Sequence, residues 1–163
     1  VKIRVPPSAG LLAAFDASGA NTQKIAYSEL YTSLKQGVVV GQENPVFTIL
    51  ADSLFETQDH LALTRHYFDC QALLINKTLF EGMEPELQAI VKEEAVKAQN
   101  LTRERISQGE AKVIETLKAK GMTVTEPELG AFVARMEPAY KKIGKLAGEA
   151  EMARLLEAVK AVR

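Results

Sequence analysis

Three side chains suited to holding a carboxylate stand at or just after short apolar runs early in this chain. Arg4 lies in "KIRV" just ahead of Pro6 and Pro7, Tyr27 closes "KIAY", and Asn44 follows the β-branched run of "VVVGQENPV". A guanidinium can bind a carboxylate through two parallel hydrogen bonds, an amide can donate a third, and an aromatic ring can wall off the ligand's body. Each residue also has a plainer explanation. A strand arginine can be solvated or structurally paired, an asparagine before proline can cap a helix, and a tyrosine can be a core aromatic with a wet hydroxyl. Spacing alone leaves both explanations open.

Covalent chemistry finds less support. His60 and His66 have no Cys or carboxylate arrangement around them that resembles a zinc site. Cys70, the single cysteine, lies in an apolar stretch and reads as a small core residue without a thioredoxin-like or papain-like pattern. No G-x-S-x-G elbow, Walker loop or G-x-G-x-x-G turn occurs, and no cofactor is implied. The 163 residues are 47% hydrophobic and 25% charged, an ordinary globular composition. A net charge of -1 argues against a nucleic-acid surface, and no apolar run reaches the ~18 to 20 residues that span a bilayer. The chain opens on "VKIRV" without Met, which suggests a fragment whose upstream part, including any targeting segment, is missing.

The elements that must position these residues alternate in type up to Asn76. "KIRV" reads as a strand, residues 10–18 as a short helix closed by Gly19, and "KIAY" as a second strand. Ser28 can cap the helix "ELYTSLKQ", which Gly37 stops. "VVV" reads as a third strand, and Asn44 with Pro45 starts a helix to about Thr57. "CQALLIN", from Cys70 to Asn76, reads as a fourth. Strands and helices alternating in short units predict an α/β fold with a mainly parallel sheet, helices on its faces, and ligand groups at the carboxyl ends of the strands.

From Pro85 to just before Gly121 the apolar residues recur at helical spacing, which predicts one helix of about 50 Å. "MTVT" reads as a short strand, and two or three helices follow from Glu126. One small α/β lobe cannot cover all these apolar stripes. A second lobe is therefore expected from outside this sequence, and exposed apolar helix surface should favour homo-oligomers or exchange of elements between copies. The expected organisation is a ligand-binding lobe over 1–83, a long helix over 84–121, and a strand with C-terminal helices over 122–163.

"KIRVPPS", "GAN" before "KIAYSELYTSLKQGVV", "GQENP" with "TILA", and "EPELQAIVKEEA" together resemble the C-terminal half of dicarboxylate-binding (DctP) type solute-binding proteins of tripartite ATP-independent periplasmic (TRAP) transporters. The resemblance implies the C-terminal lobe of a bilobal periplasmic protein that closes on an organic acid and delivers it to a membrane permease. It places the main salt bridge to the substrate carboxylate on Arg4, assistance on Asn44, the cleft wall on Tyr27, and a further contact on Gln71. Pro7 stands where sialic-acid-binding relatives carry a polar residue, implying a smaller or less hydroxylated acid. Val40 replaces an aspartate common before "GQENP". It further implies that the C-terminal helices pack on the missing lobe. Two other functions remain open from residues alone: a helical interaction module and an α/β enzyme, the latter without an evident nucleophile.

Overall fold

The computed structural model describes residues 1–68 and 70–161. Asp69, and Val162 and Arg163 at the end of the unit expected over 122–163, lie outside the described residues. Strand β1 (Lys2–Val5) ends where Pro6 and Pro7 remove the backbone donors that a longer ladder would need. Helix α1 (Ala9–Ala17) begins at Ser8, whose hydroxyl accepts the Leu11 N–H, and ends before Gly19, which takes φ +86°. Strand β2 (Asn21–Lys24) pairs in parallel with β1, and β3 (Gly41–Gln42) pairs in parallel with the other side of β1. The sheet order is β2-β1-β3, so the strand carrying Arg4 is central.

Two strand positions differ from the sequence expectation. The second strand is "NTQK", not "KIAY": Val5 lies opposite Lys24, and beyond it β1 has turned at its prolines, so Ile25 to Tyr27 lose their ladder partner. Tyr27 instead opens a 3-10 turn (Tyr27–Glu29) that leads into α2 (Leu30–Lys35), and Ser28 makes no capping bond. The third strand forms at Gly41–Gln42, just after "VVV", although the Val40 N–H already reaches the Lys2 carbonyl at 3.1 Å. Gly37 closes α2 with φ +70°, as expected.

Helix α3 (Val46–Ala51) is shorter than predicted, because Ser53 takes a left-handed φ of +54° before a 3-10 turn at Leu54–Glu56. Strand β4 (His60–Ala62) follows, unanticipated, and pairs in parallel with β5 (Thr123–Thr125). The segment Cys70–Asn76, predicted as a strand, adopts neither strand nor helix. An apolar run becomes a strand only beside another edge, and here Leu74 is 91% exposed.

After α4 (Lys77–Glu81), α5 (Pro85–Ala119) runs unbroken for 35 residues, about 50 Å. Its far end contributes Leu117 to a core with Leu30, Val39, Ile49, Leu54 and Leu61. Where α5 crosses α3, a Cβ on Gly109 would stand 3.2 Å from the Phe47 ring, so glycine permits the approach. Earlier in the helix, Leu87, Ile90, Leu101 and Ile106 are exposed. The short α6 (Leu129–Val133) precedes α7 (Glu137–Ala147), which packs against α1, and α8 (Glu149–Ala161) packs on α7. The result is a mixed α/β fold with parallel sheets and a long helix.

Candidate functional site

Among the described residues Arg4 is the buried charged one: it is 2% exposed, on the central strand, one residue from its carboxyl end. Its Nε donates to the Ile25 carbonyl at 3.0 Å, and its guanidinium carbon lies 5.8 Å from the Tyr27 ring centroid, within cation–π range. Burial lowers its pKa from the usual arginine value, while the fields of Glu43 and Tyr27 oppose that shift. Among the described residues no carboxylate is within ion-pair distance of Arg4. By contrast, the lysine ion pairs along α5, such as Lys97 with Glu93 and Glu94, are exposed.

The register brings the "GQENP" residues alongside. Arg4 is opposite Gln42 on β3, so these two side chains share a face of the sheet. The Asn44 Nδ2 donates to Gln42 Oε1 at 2.6 Å. No side-chain capping bond is made to α3, so the plain explanation of Asn44 as a helix cap does not hold. Glu43 is drawn to the other side by His66, with Nε2 3.3 Å from Glu43 Oε2. His66 is fixed in turn by Thr64 Oγ1 at 2.6 Å and by the edge of the Phe15 ring, with centroids 5.1 Å apart. Glu43 is thus close enough to act on Arg4 through its field while its carboxylate is engaged elsewhere.

Tyr27 is 47% exposed, so it is not a core aromatic. Its hydroxyl donates to Asp52, at the carboxyl end of α3. The phenol pKa is pushed up to about 12, first by partial burial and then by the Asp52 carboxylate, with Arg4 pulling the other way. One turn along, the Tyr31 hydroxyl donates to Glu56 at 2.7 Å, so two tyrosines tie this segment to the end of α3 and the 3-10 turn after it.

The structure therefore gathers Arg4, Tyr27 and the Gln42–Asn44 pair around the carboxyl end of β1. Pro7 is exposed in the turn directly after β1, and Gln71 lies on the exposed segment that follows β4. Sequence reasoning missed Gln42, Glu43, His66 and Asp52. "GQENP" held a signal for the first two, whereas nothing local links His66 or Asp52 to residues more than twenty positions earlier. Two grooves lie elsewhere: one of ≈ 540 Å³ between α7 and α8, and one of ≈ 400 Å³ where Phe15 and His66 face Phe132 of α6. Neither is lined by Arg4, Tyr27 or Asn44.

The model of the bacterial extracellular solute-binding protein family 7 (DctP) matches residues 1–146. The chain belongs to that family. A solute-binding protein of Verminephrobacter eiseniae is 33% identical over 97% of this chain and 48% of its own length. A TRAP periplasmic solute-binding protein from Polaromonas sp. JS666, bound to D-erythronate, superposes with a TM-score of 0.86 at 30% identity, over 94% of this chain and 51% of that one. The ectoine-binding protein of the TeaABC TRAP transporter of Halomonas elongata gives 0.87 at 31% identity, over 98% and 54%. The chain spans about half the length of these relatives. Among the described residues, no helix is long and apolar enough to cross a membrane.

Proposed function

We propose that this chain is the C-terminal lobe of a periplasmic solute-binding protein that captures a small organic-acid anion by its carboxylate for a TRAP membrane permease. The observation that carries this reading is Arg4. Among the described residues its guanidinium has one carbonyl hydrogen bond and no carboxylate. No nitrogen of it is sealed from water without a partner. Its remaining N–H groups are therefore open to an incoming anion, whose charge offsets the burial of the cation. A ligand carboxylate supplies that anion, with the remaining guanidinium N–H groups donating to it. Asn44, held by Gln42, orients the carboxylate, and the Tyr27 ring walls the pocket. Pro7 narrows the entrance, and Gln71 contributes from the segment leading toward a second lobe. That lobe closes the site, and closure strengthens the ion pair by removing water. No bond is made or broken, so the protein is a carrier and not an enzyme.

D-erythronate, bound in the Polaromonas relative, and ectoine, for which the Halomonas relative is named, support this reading because each carries a carboxylate. The test is calorimetric titration of organic acids into this chain completed with an amino-terminal lobe. Arg4→Ala should cost several kcal/mol of binding, about 2 to 5, since the ligand carboxylate is left buried without its partner. Affinity unchanged by the substitution would remove Arg4 from the site. A second reading, a helical interaction or oligomerisation module, is favoured by the exposed apolar residues of α5. Native mass spectrometry separates the two, since a defined oligomer that never retains an acid would favour the module.

A further inference from the structure

Gln42 is the last residue of β3, and the strand register sets it directly beside Arg4. Both side chains therefore leave the same face of the sheet near the carboxyl ends of their strands. Arg4 is engaged on the β2 side, where its Nε donates to the carbonyl of Ile25, the residue after β2, and the Tyr27 ring lies 5.8 Å away. Gln42 borders it on the opposite, β3 side.

A side-chain amide has an oxygen that accepts and a nitrogen that donates twice. The Gln42 oxygen is taken, since Oε1 accepts from Asn44 Nδ2 at 2.6 Å. That bond fixes how the Gln42 amide is turned, because exchanging its two ends would set donor against donor. Among the described residues Gln42 Nε2 has no acceptor, and it is not sealed from water. Glu43, the next residue, is drawn off by His66, whose Nε2 lies 3.3 Å from its carboxylate. Two N–H groups are thus left open beside a buried cation. We infer that Gln42 donates to the ligand carboxylate itself, so that Arg4, Gln42 and Asn44 form one row of donors across the ends of β1 and β3. This rests on the carboxylate-binding reading of Arg4 and adds a ligand contact to it. A carboxylate offers about four lone-pair sites, so two hydrogen bonds from a guanidinium leave room for amide donors.

The test is an NMR titration of side-chain N–H groups in the chain completed with an amino-terminal lobe, with D-erythronate and, as the bare carboxylate, acetate. The Gln42 Nε2 signals should shift saturably with both acids, together with those of Arg4. Calorimetry with D-erythronate then separates contact from support. Gln42→Met keeps the length of the side chain and should weaken binding roughly tenfold, the size expected of a hydrogen bond to a charged group. In an Asn44→Ala background it should still cost about fivefold or more, whereas a residue acting only through Asn44 would cost nothing further. Arg4 signals that move while those of Gln42 stay still would overturn the proposal and leave carboxylate binding intact. So would the absence of further loss in the Asn44→Ala background. Arg4 signals that move with neither acid would remove the carboxylate reading, and this contact with it.

Discussion

The two stretches of α5 carry the same pattern and meet opposite fates. Near its carboxyl end Leu117 is fully buried against α2, α3 and β4, with Val113 packed beside it. Between Leu87 and Ile106 the same helical recurrence of apolar residues faces outward, with Ile90 50% exposed. Hydrophobic periodicity marks the face a helix is built to bury and says nothing about where the covering surface comes from. Arg4 is the electrostatic counterpart of that uncovered stretch. Its position on a central strand is fixed by the fold, yet no described carboxylate completes it.

Truncation at the packed end should have the largest effect on stability. Leu117→Ala is expected to destabilise the chain by about 2 to 5 kcal/mol in denaturant unfolding, because it opens a cavity among core side chains. A loss below 1 kcal/mol would mean that the end of α5 is not anchored as described. At the exposed stretch, Ile90→Ala should change stability by no more than about 0.5 kcal/mol in the chain alone. The same substitution should cost distinctly more once an amino-terminal lobe is added. Equal costs in both states would break the comparison by showing that the stripe has no partner there.

The smallest expected effect concerns pH. The Tyr27 phenol is raised from 10.0 to about 12 in the fold, so the folded state holds that proton more tightly than the unfolded chain. Its stabilisation is therefore complete below pH 10 and is lost as pH rises through about 12. Tyr27→Phe should flatten this part of the alkaline stability curve relative to the unsubstituted protein. Identical curves from pH 10 to 12 would show that the fold does not raise the phenol's pKa through burial and Asp52.

Much of the frame was legible in the residues because local chemistry enforced it. Pro85 opens α5 and Gly121, at φ +100°, follows its end, so both limits could be read directly. Pro6 and Pro7 likewise fix where β1 stops and hence where Arg4 sits. The misplacements arose where pairing overrides composition. "NTQK" is polar because it lies at a sheet edge, and it becomes a strand only because β1 lies beside it. "HLA" becomes one through β5, far along the chain, whereas "CQALLIN" has the apolar composition and forms no strand. The site follows the same division. Arg4, Tyr27 and Asn44 could be picked out by strand and turn position, but the Asp52 and His66 contacts depend on tertiary proximity.

The central claim is that the Arg4 guanidinium holds a ligand carboxylate. It is tested most directly by following the arginine side-chain N–H resonances by NMR while an organic acid is titrated into the chain completed with an amino-terminal lobe. The expected result is a saturable shift of the Arg4 Nε–H, with its Nη groups slowed as they engage the acid. Saturation of binding with the Arg4 signals unmoved would contradict the claim.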